Sequence, residues 1–292
     1  LVGSEMCIRD SLKTLVGSVK DMFIFVDMKM NTSLVVSTYN WAEALELVLK
    51  SIQVQTHLPD EVIIADDGST KETKRVIDEF RQGFPNPVTH VWHEDLGNRK
   101  AIIMNKAIAK TTSDYIISID GDVILHPNFV EDHLAMAEKN TYLYGSRVNI
   151  QKSKLQEIFQ HKTIHFHFFS KGIKKRGRTL RYPFLAKKQK KHSSFSSKMR
   201  GCNFSFWRKD FIKVNGYNEE ITGWGREDSE LVLRMHNAGI LAKRLKFAGI
   251  VYHMYHPEQS KEFLDRNDKI QQKTIEQKLT FASKGVNQYT EC

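Results

Sequence analysis

Between Ser33 and Asp122 the chain alternates four times between short apolar runs and longer stretches with a helical apolar period. Ser33-Leu-Val-Val-Ser37, Glu61-Val-Ile-Ile-Ala65, Val88-Thr-His-Val-Trp92 and Tyr115-Ile-Ile-Ser-Ile119 read as strands. Trp41 to Gln55 places Ala44, Leu45, Val48, Leu49 and Ile52 on one face of a helix, and Pro59 keeps that helix from running on. A second helix, capped at Ser69 or Thr70, is expected to reach Phe80, and a third spans Asn98 to Lys110. Such alternation predicts an α/β, Rossmann-like, mostly parallel central sheet with helices on both faces.

In a sheet of this kind ligands sit beyond the carboxyl ends of the strands. Three expected strands end there in polar clusters: Thr38-Tyr39-Asn40, Asp66-Asp67 and Asp120-Gly121-Asp122. Asp120 and Asp122, two apart on an extended chain, point the same way, and Gly121 lets backbone come close. Hard oxygen donors of this type suit Mg²⁺ or Mn²⁺, ions that usually arrive with a phosphate. The ordinary alternative is an Asp-Gly turn with solvated carboxylates. Three clusters in register favour a nucleotide-type site.

A helix is expected after Pro127, then a strand from Tyr142 to Val148. Arg200 to Trp207 reads as a strand and Arg208 to Val214 as a short helix. Gly223-Trp-Gly-Arg-Glu-Asp-Ser-Glu230 leads into an amphipathic helix that stops before Gly239. Phe247 to Tyr252 reads as a strand leading to His253-Met-Tyr-His-Pro257, and Ser260 to Lys284 as a polar surface helix.

The net charge of +10 is local. Between Glu157 and Asp210 there is no acidic residue but 15 Lys and Arg; removing those 15 from the chain's 44 leaves 29 basic residues against 34 acidic ones. Lys171 to Lys198 interleaves cations with Phe and Tyr, a pattern expected to dock on an anionic membrane face; a solvated insertion is the alternative. Cys7, Cys202 and Cys292 form no CxxC, so neither a disulfide framework nor a zinc site is expected, and a cytoplasmic setting is the default. Residues 1–30 read as a non-native leader, with the natural start at Met28 or Met30.

Ser37-Thr-Tyr-Asn40, Asp66-Asp-Gly-Ser69, Asp120-Gly-Asp122, Gly223-Trp-Gly-Arg-Glu-Asp228 and His253-Met-Tyr-His256 stand in an order and spacing that resembles family 2 glycosyltransferases of the GT-A fold. The C-terminal half is similar to the galactosyltransferase-type segment of bacterial surface-polysaccharide enzymes. The resemblance covers Thr32 to Pro257. It implies an inverting, metal-dependent enzyme that moves a sugar from a nucleotide-diphosphate sugar, expected to be a UDP-sugar, to a glycan or lipid-linked glycan acceptor.

By the same resemblance Thr38, Tyr39, Asn40, Asp67, Arg99 and Asp120 bind the donor nucleotide, with Asp67 accepting from the uracil N3–H. Asp120, Asp122 and His256 hold Mn²⁺ or Mg²⁺. Asp228 is the general base, and Glu227 binds the acceptor together with Trp224. Arg99 or its neighbour Lys100 is expected at a phosphate; the sequence does not choose between them. Trp224 reads equally well as a core residue beside a turn, and His253 receives no role. The implied organisation is a leader (1–30), a GT-A domain (31–257) and a helical tail (258–292). The domain divides into a nucleotide-binding half (31–150), a basic insertion (151–199) and an acceptor half (200–257).

Two rivals are weaker. A sugar-nucleotide nucleotidyltransferase usually carries a Gly-rich phosphate loop, and none follows Ser33–Ser37. A nucleic-acid-binding protein would suit pI ≈ 9.3 but leaves the acidic strand ends unexplained, so no nucleic-acid partner is expected. Peripheral attachment to the inner face of the plasma membrane is the expected location.

Overall fold

A computed structural model describes residues 30–257 and 260–290; the expected leader lies outside the described residues. The first half alternates as anticipated: β1 (Thr32–Thr38), α1 (Ala42–Gln53), β2 (Glu61–Asp66), α2 (Lys71–Gly83), β3 (Val88–Trp92), α3 (Lys100–Ala109) and β4 (Tyr115–Asp120). Then come β5 (Val123–Leu125), α4 (Phe129–Met136), β6 (Thr141–Gly145), β7 (Arg147–Ile150), α5 (Leu155–His161), β8 (Ile173–Lys174), α6 (Pro183–Lys187) and β9 (Lys191–His192). The chain continues through β10 (Phe204–Trp207), α7 (Arg208–Lys213), α8 (Glu227–Asn237), β11 (Leu241–Leu245), β12 (Val251–His253) and α9 (Leu264–Glu276).

Eight strands form one sheet in the order β3-β2-β1-β4-β10-β6-β11-β9, and β5-β12-β7-β8 form a second. The large sheet is mostly parallel; β10 runs antiparallel to both β4 and β6, and β9 to β11. Because β2 and β3 lie on one side of β1 and β4 on the other, the strand order reverses at β1. The crevice beyond the carboxyl ends of β1 and β4 is therefore where such a sheet binds ligands.

Burial on both faces explains the near-continuous apolar strands. Val35, Ile63 and Ile116 pack into one cluster with Ala101, Met104 and Ile108 of α3 and Leu231, Val232 and Met235 of α8. Leu34, Val36, Ile64 and Ile117 point to the opposite face and are equally buried. Each such side chain contributes roughly 1.5–3 kcal/mol of transfer free energy.

Several boundaries differ from expectation. The strand expected from Tyr142 to Val148 is broken at Ser146, where the chain leaves the large sheet and enters the small one. Phe247 adopts a left-handed φ of 68°, so the last expected strand starts only at Val251. The strand β11 has no apolar signature because Lys243 and Arg244 lie inside it. Lys243 is nevertheless buried and pairs with Glu138 at 2.6 Å. Thr70 is the N-cap of α2 but caps nothing with its hydroxyl; instead its own N–H donates to Asn40 Oδ1 at 2.9 Å. The tail is α-helical only over α9, with one 3₁₀ turn at Val286–Gln288, and Asn267 and Thr274 bury themselves instead of facing water.

Candidate active site

At the end of β2 the two aspartates divide. Asp66 is fully buried and accepts from the Ser69 N–H (2.8 Å) and a ring N–H of His90 (2.8 Å), which fixes the turn. Gly68 is at φ 97°, and a Cβ there would lie 2.6 Å from the Asp95 backbone, so only glycine fits. Asp67 is buried as well but has other partners, receiving His93 Nε2 at 2.6 Å and the Arg99 N–H at 2.9 Å. Burial raises its pKa, opposed by His93 and Arg99.

Thr38 is buried and Tyr39 is half exposed with its hydroxyl donating to Asp95 at 2.8 Å. Asn40 spends its side chain on the Thr70 N–H, within the turn that leads to α2. The Arg99 guanidinium donates to the Glu94 carbonyl and does not reach the β4 aspartates. Its neighbour Lys100 does, with Nζ 2.8 Å from Asp120 Oδ1.

Asp120 ends β4 and Asp122 lies in the turn that follows, so the two are not on one extended chain as expected, and their partners differ. Asp120 accepts from Ser37 Oγ and Lys100 Nζ, both at 2.8 Å. Burial pushes against its charge, yet Lys100 and Ser37 hold the carboxyl below its ordinary value. Asp122 sits against two imidazoles, with His256 Nε2 at 3.3 Å and His253 Nε2 at 3.4 Å from its Oδ2. The ligand atoms of Asp122, His253 and His256 lie within 4.8 Å of one another, and Asp122 Oδ1 is buried without a partner.

Sheet pairing builds this cluster: β12 runs antiparallel to β5, setting His253 opposite Val123. His256 Nδ1 lies 2.7 Å from the Pro257 carbonyl, which can only accept, so Nδ1 donates there and Nε2 is the nitrogen turned to Asp122. Burial, with Arg147 and His256 nearby, pushes His253 down to about 3 and keeps it neutral. Burial and the charge of Asp120 push Asp122 up to about 7. One carboxylate with an orphaned oxygen and two imidazoles make a donor set that a divalent cation fits.

The second acidic pair opens α8. Gly223, Gly225 and Arg226 all have left-handed φ values (70°, 102° and 79°), and this turn delivers Glu227 and Asp228 into the first helical turn. A left-handed non-glycine residue costs about 1–3 kcal/mol, here opposed by the ion pair of Arg226 with Asp268. Asp228 accepts from the Gly201 N–H at 3.0 Å and the Tyr217 hydroxyl at 3.4 Å. A Cβ at Gly201 would lie 2.0 Å from Asp228 Oδ2, so the glycine is required for this contact.

Glu227 keeps one buried oxygen without a partner. Burial and the neighbouring Asp228 push it up to about 7, and burial likewise raises Asp228. Burial also opposes the charge of Lys100, but Asp120, Asp228 and Glu227 hold that ammonium protonated well above the usual lysine value. One cation thus serves both acidic groups. Trp224 is 41% exposed, which removes the core-tryptophan alternative.

Sequence reasoning missed the tail's part in this site. The fully buried Asn267 donates through Nδ2 to the carbonyls of Thr222 (2.9 Å) and Gly225 (3.0 Å), clamping both ends of the Gly-Trp-Gly turn. Phe263 packs against Gly223, where a Cβ would lie 2.5 Å from its ring. An isolated Asn in a polar helix gives no signal of this. Asn267→Ala should destabilise the protein by about 1–3 kcal/mol, because two carbonyls lose their donor. It should also lower turnover more than donor affinity. Thermal unfolding with steady-state kinetics checks this; an unchanged melting temperature and rate would mean the clamp holds nothing.

The chain resembles known proteins over most of its length. The profile described as glycosyl transferase family 2 matches residues 33–211, and that described as the N-terminal domain of galactosyltransferase matches residues 181–257. Chondroitin synthase from Escherichia coli is 25% identical over 252 residues, covering 79% of this chain and 35% of that protein. Validoxylamine A glucosyltransferase from Streptomyces hygroscopicus subsp. limoneus is 27% identical over 225 residues, covering 71% and 48%. The chain thus spans between a third and a half of the length of these relatives. Among solved structures, S. aureus TarS 1-349 in complex with UDP superposes with a TM-score of 0.55 at 14% identity, covering 89% of this chain and 68% of that one. The mannosyltransferase PcManGT from Pyrobaculum calidifontis, in complex with GDP-Man and Mn²⁺, gives 0.52 at 15% identity, covering 83% and 64%.

Proposed function

The chain belongs to glycosyl transferase family 2 and has the GT-A fold, and from that premise we propose that it transfers a sugar, with inversion, from a UDP-sugar to a glycan acceptor. The observation that carries this is the grouping of two acidic sites around Lys100: Asp120, beside the Asp122–His253–His256 cluster, and the Glu227–Asp228 pair. A donor site and a proton-accepting site on opposite sides of one sugar is what an in-line displacement requires. Family membership also decides against the nucleotidyltransferase alternative.

Asp67, in reach of the crevice and with lone pairs to spare, takes the base edge, while Thr38, Tyr39 and Asn40 shape that wall. Asp120, kept ionised by Lys100 and Ser37, faces the nucleotide. Lys100, not Arg99, is the cation nearest the diphosphate. Asp122, His256 and His253 would hold the divalent ion, and two imidazoles favour Mn²⁺ over Mg²⁺. When bound, that ion would offset negative charge on the departing diphosphate.

Asp228, fixed by Gly201 and Tyr217, removes the proton from the acceptor hydroxyl. Glu227 accepts a hydrogen bond from a second hydroxyl, and Trp224 offers its exposed ring to the acceptor sugar. The nucleotide half is 31–150 and the acceptor half 200–257, completed by α9. UDP with Mn²⁺ should raise the melting temperature by mass action, more than either alone. No shift with UDP, GDP or dTDP would count against nucleotide binding.

The insertion 151–199 serves the acceptor's setting. Tyr182 (50% exposed), Phe184 (69%) and, just upstream, Phe169 (80%) stand out among its lysines. Among the described residues no helix is long and apolar enough to cross a membrane. Exposed aromatics among cations suit the inner face of an anionic membrane, where each Lys or Arg contributes about 1 kcal/mol, and a lipid-linked glycan. The protein should pellet with phosphatidylglycerol vesicles at low salt and be released at high salt, and glutamines in place of the lysines of 171–198 should abolish pelleting. Equal recovery in the supernatant with neutral and anionic vesicles would exclude docking.

A further inference from the structure

Where the chain passes from one sheet to the other at Ser146, it leaves a cavity of about 180 Å³ with an apolar wall that includes Leu180, Leu245 and Ile250 and a polar side of Ser146, Arg178, Arg244 and Lys246. The polar side chains of this lining are mostly cations. Arg244 Nε is buried and has no partner. Arg178 donates to the Arg147 carbonyl at 2.9 Å, and Lys246 lies over the Phe247 ring at 4.8 Å, so neither is neutralised. Arg147, Lys175 and Arg200 do not line the cavity but lie close enough to Arg178 for their charges to act on it or on each other.

None of Arg147, Lys175, Arg178, Arg200, Arg244 or Lys246 forms an ion pair among the described residues, although ion pairs are common elsewhere. Like charges held this close repel one another, and an anion among them would offset that repulsion. Burial and the neighbouring arginines indeed lower the pKa of both Lys175 and Arg178.

Both ends of this cluster reach the active site. In the pairing of β7 with β12, Arg147 stands opposite Val251 and Asn149 opposite His253. Arg147 and His253 therefore lie on one face, two residues apart along the strands, or roughly 7 Å. The charge of Arg147 acts on Asp122 and His253. At the other end, Arg200 directly precedes Gly201, whose N–H holds Asp228.

We infer that this cavity binds a carboxylate or phosphate carried by one of the sugars at the reacting centre. It is an anion site additional to the one for the donor diphosphate, which makes this an enzyme of acidic glycans. The inference rests on the glycosyltransferase reading. The donor diphosphate already has Lys100 and the Asp122 cluster, so the remaining cations answer a second anion. Two sources supply it, a uronate on the donor sugar or an acidic residue of the acceptor.

The test titrates the full chain with Mn²⁺ and UDP, with UDP-glucose against UDP-glucuronate, and, in the UDP complex, with neutral against uronate- or phosphate-bearing oligosaccharides. One acidic member should bind roughly tenfold to a hundredfold tighter than its neutral counterpart, as charge-assisted hydrogen bonds do. The donor arm or the acceptor arm in which this happens identifies the source. Arg178→Gln/Arg244→Gln should erase the preference and leave UDP affinity within about twofold, and Arg178→Gln/Lys246→Gln, made wholly at exposed residues, should do so in part. No acidic preference in either arm, or a preference that survives both variants, overturns the inference. So does an equal loss of UDP affinity, which would assign the cluster to the donor diphosphate, or a loss confined to vesicle pelleting, which would assign it to the membrane. Absence of UDP binding in the unmodified protein would instead strike at the glycosyltransferase reading itself.

Discussion

Asp228→Asn should lower turnover by about 10²- to 10⁴-fold while leaving donor affinity nearly unchanged, as expected when a general base is removed. Asparagine keeps the shape and one oxygen for the Gly201 N–H, and its amide N–H can donate to the Tyr217 oxygen where Asp228 accepted from that hydroxyl, so the loop should stay in place. What is lost is the charge. Burial raises the pKa of Asp228, and a base must be deprotonated to act, so the rate should rise with pH through a value above the ordinary aspartate range. In the variant that limb should flatten. Glu227→Gln should act differently, raising the KM for acceptor more than it lowers kcat. A near-normal rate in Asp228→Asn on the true acceptor would remove Asp228 from the chemistry. If Glu227→Gln instead showed the large fall in kcat and the loss of the pH limb, the two carboxylates would exchange roles.

The second large effect concerns the cluster at the other side of Lys100. Asp122→Ala should abolish Mn²⁺-dependent UDP binding, with the fold retained because the side chain makes no structural hydrogen bond through Oδ1. His256→Ala and His253→Ala should each weaken Mn²⁺ affinity, since all three ligand atoms lie within 4.8 Å. Asp120→Ala should weaken UDP binding with or without the ion, because Asp120 is bound to Lys100 and Ser37. Calorimetric titration of Mn²⁺ in the presence of UDP separates these outcomes. Unchanged Mn²⁺ affinity in Asp122→Ala would exclude the cluster as the metal site.

Much of this arrangement was legible before any coordinates. Strands buried on both faces write themselves as β-branched runs, so β1, β2 and β4 fell within a residue or so of expectation. The acidic motifs were visible because the polar residues abut those runs. What escaped depends on contacts between distant parts of the chain. His253 had no role in the sequence, because its meeting with Asp122 comes from the antiparallel pairing of β12 with β5. Lys243 hid β11, since its ion pair with Glu138 is what makes a lysine tolerable there. Lys100 and Arg99 are adjacent and chemically alike; Lys100 opens α3 and reaches Asp120, while Arg99, at the non-helical N-cap, folds back on Glu94. Asn267 and the cations around Ser146 are single polar residues in polar surroundings, and only packing gives them a purpose.

The central claim is transfer from a nucleotide-diphosphate sugar, and nucleotide release from UDP-, GDP- and dTDP-sugars by the purified protein tests it most directly. The expected result is release of UDP that depends on Mn²⁺, stops on chelation and is lost in Asp122→Ala. Absence of release from every donor in the presence of Mn²⁺ and of neutral and acidic acceptors, or release that chelation and Asp122→Ala leave unchanged, would contradict it.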